Sequence, residues 1–306
     1  MKYEKEFLDL LSRSVAESID RSSIVHLVRE IVPDYSETHN NSVPKSVDVP
    51  RLDTAKKIVF DMAKMNMLIP FLNVFFSIHF KGYKGRKYRI SRLRNLIIQL
   101  YDMGFSLDTQ TGLLFEDPQF RISRNWGVLQ EGRTYAFSFL WCDVVRSSLH
   151  VEENSDINIR TFYETYNNTV RQSVESRNGR IWHIEGDGIL AAFHFGDYME
   201  KCVYAAVEIL HRMFNYNRFN NSLARPVQVR LSCNKGIYDY SENHEDIKKS
   251  EQIMNTIHAE NHTQPDSVTV NANLSSSLGG VLPHLLESRK IDGYGTADVY
   301  SIRWDT

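Results

Sequence analysis

Residues 134–144, TYAFSFLWCDV, alternate Tyr135, Phe137, Phe139 and Trp141 with Ala136, Ser138, Leu140 and Cys142. Both sets are apolar or small, so the pattern predicts a strand buried on both faces that ends at the carboxylate of Asp143. After the loop VVRSSLHVEENSD, the segment INIRTFYETYNNTVRQSVES places Ile159, Phe162, Tyr163, Tyr166, Val170 and Val174 on one helical face. Asn178 and Gly179 break that helix, RIWHIE reads as a short strand, Gly186-Asp187-Gly188 as a tight turn, and ILAAFHF as the returning strand. Asp197 with Glu200 predicts a capping box for the helix YMEKCVYAAVEILHRMF, and Val227, Val229, Leu231 and Cys233 alternate as a further strand.

Strand, helix, hairpin, helix, strand is the ferredoxin-like order, in which the first strand and the hairpin lie side by side. The predicted fold class is therefore α+β: a central antiparallel sheet with flanking helices, preceded by a small helical bundle. This order brings Asp143 and Asp187 together.

The bundle is read from the first 80 residues. Phe7, Leu10, Leu11, Val15 and Ile19 share one helical face, and Ile24, Leu27, Val28 and Ile31 the next. YSETHNNSVPKS is too polar to build a core, and VPRLDTAKKIVFDMAKMNMLIPFLNVFFSIH is strongly apolar at helical spacing. The predicted division is a helical domain at 1–80, a basic connector at 81–130 and an α+β domain at 131–306. KGYKGRKYRISRLR, which opens the connector, would suit a nucleic acid or an anionic membrane surface, but a solvated face is the commoner use of such a stripe. RLRNLIIQLYDMGFSLDTQTGLLFEDP reads as a helix and a short hairpin.

Composition narrows the function. The 306 residues carry a formal charge of −2, which argues against a dedicated nucleic-acid binder. Cys142, Cys202 and Cys233 lack metal-ligand spacing and read as reduced core thiols. No secretory leader is expected, and the longest apolar run, MLIPFLNVFFSIHF, is too short for a bilayer and contains Pro70. A cytoplasmic protein without stable membrane insertion is expected. Against that background, two acids at adjacent sheet ends suit an enzyme that transfers phosphoryl groups, since such chemistry gathers negative charge around divalent metal.

In these segments the chain resembles the class III nucleotidyl cyclases, the adenylate and guanylate cyclase catalytic domains. FLWCDVVRSS is similar to the strand end carrying the first metal aspartate, NGRIWHIEGDGILAAF to the hairpin carrying the second, DIKKSEQIMNTIHAE to the base- and ribose-contacting segment, and KIDGYGTADVYSI to the closing strand pair. The resemblance implies attack of a ribose 3′-hydroxyl on the α-phosphate with loss of pyrophosphate. Its metal ligands would be Asp143, Asp187 and the carbonyl of Val144, holding two Mg2+ or Mn2+ ions. Backbone amides of Arg146, Ser147 and Ser148 would meet phosphate, with the Arg146 side chain supplying charge. His183 and Asp246 would read the base, and Asn255 the ribose. The two sets of residues come from opposite subunits in that family, which implies a homodimer.

Departures are informative. His183 replaces a base-selecting lysine or glutamate, Arg146 a glycine, Ala259 the transition-state arginine, and Tyr294 a phosphate-binding lysine. Neither the adenine nor the guanine pair is present, so a pyrimidine substrate is favoured, with adenylate cyclase or a degenerate nucleotide sensor or scaffold as alternatives. VFDMAKMNMLIPFLNVFF is similar to the death-like effector-associated adaptor domains of bacterial conflict systems. An adaptor joined to an atypical cyclase resembles the Pycsar antiphage systems. That implies cyclic UMP or cyclic CMP as second messenger, a separate effector that reads it, and a partner docking through residues 1–80.

Overall fold

The computed structural model describes residues 3–33, 35, 50–109, 112–247, 249–291 and 293–302. Its contacts divide the chain into two units, Met1–Arg121 and Ile122–Thr306.

In the first unit the apolar spacing produces helices α1 (Lys5–Ser18), α2 (Arg21–Arg29), α3 (Arg51–Lys64), α4 (Leu68–Phe80) and α5 (Leu93–Asp102). A hairpin of β1 (Phe105–Asp108) and β2 (Leu113–Glu116) follows. Phe7, Leu11 and Val15 of α1 and Ile24, Leu27 and Val28 of α2 are buried, as their spacing requires. The long apolar stretch is two helices: Asn66 adopts φ 57° between α3 and α4, and Pro70 sits in the first turn of α4, where a missing N–H costs nothing. Segment 81–121 packs with these helices. Ser14 Oγ donates to the Ser91 carbonyl at 2.5 Å, Arg92 forms a two-pronged pair with Glu17, and Leu114 N–H donates to Asn73 Oδ1 at 2.6 Å. Apart from Tyr35, the polar segment YSETHNNSVPKS lies outside the described residues.

The second unit runs β3 (Thr134–Val144), α6 (Ser147–Glu153), α7 (Asp156–Glu175), β4 (Arg180–Glu185), β5 (Gly188–Phe193), α8 (Tyr198–Phe219) and β6 (Val229–Asp239). It continues with α9 (His244–Ile247), α10 (Glu251–Asn261), β7 (Ser267–Asn271), α11 (Ala272–Ser275), α12 (Leu282–Leu285), β8 (Glu287–Ile291) and β9 (Gly295–Ser301). The seven strands lie in the order β4-β5-β3-β6-β7-β9-β8, and only β6 and β7 pair in parallel. β4-β5-β3-β6 is the ferredoxin-like arrangement read from the pattern, so the expected α+β sheet with flanking helices is the observed one.

Both faces of β3 are covered, which explains its doubly apolar sequence. Leu140, Cys142 and Val144 meet Phe162, Tyr166 and Val170 of α7 and Cys202, Ala206 and Leu210 of α8. Phe137 and Phe139 pack among Trp126, Trp182 and Tyr238 on the opposite face. A fully buried side chain of this size stabilises by about 1.5–3 kcal/mol, enough to fix the strand's register. The three cysteines are buried and free.

Two local expectations are corrected. The stretch after Asp143 holds the short helix α6, because Arg146 turns into the left-handed region and lets Leu149 and His150 amides bond to its carbonyl. The capping box at the start of α8 is not made: Asp197 forms no side-chain cap bond, and Glu200 Oε1 accepts from Gly279 N–H at 3.2 Å.

Candidate active site

The β3–β5 ladder pairs Cys142 with Ile189, and β4 pairs with β5 through Glu185 and Gly188. Gly186 and Asp187 are therefore the two turn residues of the hairpin, with φ 63° at Gly186. The register sets this turn beside the end of β3. Gly188 is required there, since a Cβ would collide with the Trp141 ring.

The two carboxyl groups converge. Asp143 has its pKa raised, first by burial and then by the nearby Asp187 charge. Like charges this close resist joint ionisation. The Asp187 carbonyl accepts from the buried Tyr166 hydroxyl at 3.2 Å, which anchors the turn to α7. Tyr163, one face-position earlier on α7, has its phenol pushed up by burial and by both acids.

A guanidinium and a third acid complete the cluster. β3 pairs Asp143 with Arg230 of β6, and Arg230 Nη2 donates to Asp143 Oδ2 at 2.9 Å. Arg230 Nε also lies 2.5 Å from Glu260 Oε1 of α10, off the hydrogen-bond direction, as a contact ion pair. Glu260 is 5% exposed, and burial together with the Asp143 charge pushes its pKa up to about 7 despite Arg230.

Sequence reasoning missed Arg230, Glu260 and the Tyr163 hydroxyl. The signal for Arg230 was a base in the phase opposite to Val229, Leu231 and Cys233. Glu260 follows the buried positions Ile253, Thr256 and Ala259, so the helical face already called for an apolar residue there.

The donor set fits a divalent cation. Two acids whose charges act on each other are relieved by positive charge between them. Among the described residues no group of three His, Cys, Asp or Glu side chains gathers to hold a metal. The protein's share would thus be the two carboxylates and a backbone carbonyl, leaving room for water and phosphate oxygens, as Mg2+ prefers.

The remaining residues named from the sequence occupy distinct places. Val144 ends β3 with its side chain buried. Arg146 is exposed and adopts φ 54°, a conformation that favours glycine. Ser147 and Ser148 open α6, where the first amides have no intrahelical partner. His183 on β4 faces Glu185, with Nε2 3.4 Å from its carboxylate. Asp246 on α9 accepts from Ser241 and Lys249, both at 2.8 Å, and these bonds hold its pKa down. Asn255 is exposed on α10, whereas Ala259 points into the core at 2% exposure. Tyr294 accepts from Asn271 at 3.0 Å.

No protein family and no curated protein matches the chain by sequence. Among solved structures it is similar to the guanylate cyclase domain of RhGC from Catenaria anguillulae in complex with GTP. There identity is 10%, 56% of this chain and 98% of that chain are covered, and the TM-score is 0.45. It is also similar to the adenylyl cyclase CyaB from P. aeruginosa, at 11% identity, 58% and 98% coverage and a TM-score of 0.46. For the adenylate/guanylate cyclase/hydrolase from Silicibacter pomeroyi the values are 15%, 56% and 99%, and 0.44.

Proposed function

We propose that the second unit is a nucleotidyl cyclase, converting a nucleoside triphosphate to a 3′,5′-cyclic nucleotide and pyrophosphate. The observation that carries this reading is the convergence of Asp143 and Asp187 at the end of β3, near enough for the Asp187 charge to raise the Asp143 pKa, two residues before the start of α6. Asp143, Asp187 and the Val144 carbonyl would hold two Mg2+ or Mn2+ ions. When bound, these supply Lewis acidity that lowers the hydroxyl's pKa and neutralises the triphosphate.

The chain's own groups do the positioning. Amides of residues 146–148 receive phosphate oxygens, and the Arg146 side chain adds charge. Arg230, already held between Asp143 and Glu260, provides a second fixed cation next to the acids. His183 and Asp246 read the base and Asn255 orients the ribose. The exposed position of Asn255 supports a site completed by a second copy of the chain, hence a homodimer.

A pyrimidine base is the preferred substrate, because His183 and Asp246 form neither the adenine pair nor the guanine pair. A cyclic UMP or cyclic CMP signal in antiphage defence, read by a separate effector, with residues 1–80 recruiting a partner, extends the same reading. ATP is the alternative substrate. A nucleotide-binding sensor without turnover is favoured by one observation: Arg230 already occupies an oxygen of Asp143.

Incubating the protein with each of the four nucleoside triphosphates and Mn2+, then identifying products by mass, tests all of these. A cyclic pyrimidine nucleotide is expected. Cyclic AMP alone would move the assignment to adenylate cyclase, and the absence of any cyclic product would leave the sensor.

A further inference from the structure

The basic stretch KGYKGRKYRISRLR has no part in the site built around Asp143, and it belongs to the first unit. Residues 81–94 carry seven Lys and Arg side chains and no acid, which leaves −9 on the rest of the chain. Lys84 and Gly85, at φ 47° and 75°, make a two-residue turn of the kind that closes tight hairpins. Tyr83 N–H donates to the Arg86 carbonyl at 2.7 Å, and Arg86 N–H donates to the Tyr83 carbonyl at 2.9 Å. A Cβ at Gly85 would have no neighbour within 4 Å, so the tip of the turn is uncrowded. The stretch is also pinned: the Tyr88 carbonyl lies 3.0 Å from His79 Nδ1, Ile90 is buried, and Ser91 N–H donates to Ser18 Oγ at 2.8 Å.

Its charge is largely unmatched. Arg92 pairs with Glu17, but Lys81, Lys84, Arg86, Lys87, Arg89 and Arg94 are exposed and form no ion pair among the described residues. Burial and then Glu30 raise the pKa of the Tyr83 phenol, so one acid stands beside the turn, and six cations against it leave an excess of five. The stretch runs into an apolar face. Arg94, Ile98 and Tyr101 recur at four- and three-residue spacing and so share one side of α5. Ile98 and Tyr101 are 52% and 46% exposed, and Phe120, at 53%, sets its ring edge-on to Tyr101 with centroids 5.7 Å apart. The acids at this end are Asp102, next to Tyr101, and Asp117, held by Ser106 Oγ and Gln119 N–H, while Glu116 is buried and pairs with Arg121.

We propose that the first unit binds the surface of anionic phospholipid bilayers through the 83–86 turn and the outer face of α5, a reading independent of the cyclase one. The cations meet headgroup phosphates, and Ile98, Tyr101 and Phe120 enter the boundary with the acyl chains. Ile98 has no use against the phosphate and sugar of a nucleic acid. The acidity of the rest of the chain also repels a polyanion long enough to wrap around it, whereas a flat surface meets one face alone. The contact is peripheral, since no helix among the described residues is long and apolar enough to cross a membrane.

Co-sedimentation of the full chain with vesicles, in EDTA to remove metal bridging, tests this. Vesicles of phosphatidylcholine mixed with phosphatidylglycerol should carry the protein down, vesicles of phosphatidylcholine alone should not, and added salt should weaken the binding. Lys84→Gln with Lys87→Gln should weaken it about thirtyfold, and Ile98→Ser with Phe120→Ser about tenfold. Circular dichroism should show both variants folded, because all four side chains are exposed. Lys56→Gln with Lys64→Gln, which removes the same charge from exposed positions of α3, should bind like the parent. No sedimentation with the anionic vesicles, equal binding to both vesicle types, or parental binding by either the turn pair or the apolar pair overturns the proposal. So does a loss in the α3 pair as large as in the turn pair, which would leave only net charge as the cause. Binding of single-stranded RNA in place of vesicles, weakened by Lys84→Gln with Lys87→Gln, would assign the turn to nucleic acid and refute the lipid surface.

Discussion

Replacing Glu260 by glutamine tests the electrostatics of the acid cluster without touching either aspartate. In the folded chain Glu260 holds its proton up to about pH 7, whereas an unfolded chain releases it near 4.5. Between those values the folded state binds more protons, so this group's stabilising contribution is greatest in acid and declines as pH rises towards neutrality. The full displacement corresponds to roughly 3 kcal/mol, and screening through the partly exposed Arg230 reduces it to about 1–2 kcal/mol. Glutamine keeps the shape and an acceptor for Arg230 but removes the titration.

The assay is denaturant unfolding in EDTA at pH 5 and pH 8, followed by tryptophan fluorescence. No tryptophan precedes Trp126, and Trp126, Trp141 and Trp182 lie in the second unit, so the signal reports on it. Other acids titrate too, so the decisive quantity is the parent's change from pH 5 to pH 8 minus that of Glu260→Gln. The parent should lose about 1–2 kcal/mol more than the variant, and the variant should be the more stable protein at pH 8. Equal pH dependence in the two, or a variant less stable at pH 8, would refute the argument that burial and Asp143 outweigh Arg230.

Asp187→Ala should lower cyclic-nucleotide formation at least about a thousandfold with little change in unfolding midpoint, because the turn presents its side chain at the sheet end; product mass spectrometry and circular dichroism check both halves. Gly188→Ala should destabilise the second unit by about 1–3 kcal/mol, read by the same fluorescence, since the added methyl meets the Trp141 ring. Arg146→Ala should reduce turnover about tenfold or more, and full retention of turnover would remove the side chain from the site. Sedimentation equilibrium should give a dimer, and mixing Asp187→Ala with Asn255→Ala chains should restore part of the activity that each lacks alone, because one of the two shared sites then keeps both residues.

Periodicity alone carried much of the second unit. The double apolar alternation of β3 could be satisfied only by a strand covered on both faces, and the one-sided spacing of α7 only by a helix laid on a sheet. The order of those elements then placed Asp143 and Asp187 at neighbouring strand ends, since a hairpin's register follows from its turn. The break between α3 and α4 was less legible, because an uninterrupted apolar run at helical spacing does not reveal a single residue with positive φ.

What the linear pattern left open depends on contacts between residues far apart in the chain. Asp143, Arg230 and Glu260 belong to three separate elements, and nothing local marks them as neighbours. Whether an acid at position 260 keeps its proton is decided by desolvation and by charges that only the packed sheet and α10 bring near it. Likewise Arg146 could be named as an unusual residue in a turn, but its left-handed backbone and the cavity it lines with His150, Arg225 and Gln228 involve residues far apart in the chain. Hydrophobic spacing selects the elements and their faces because burial is cooperative and short-ranged along the chain. Charge and protonation at the site are set by three-dimensional distance and by exclusion of water, and these are properties of the folded molecule.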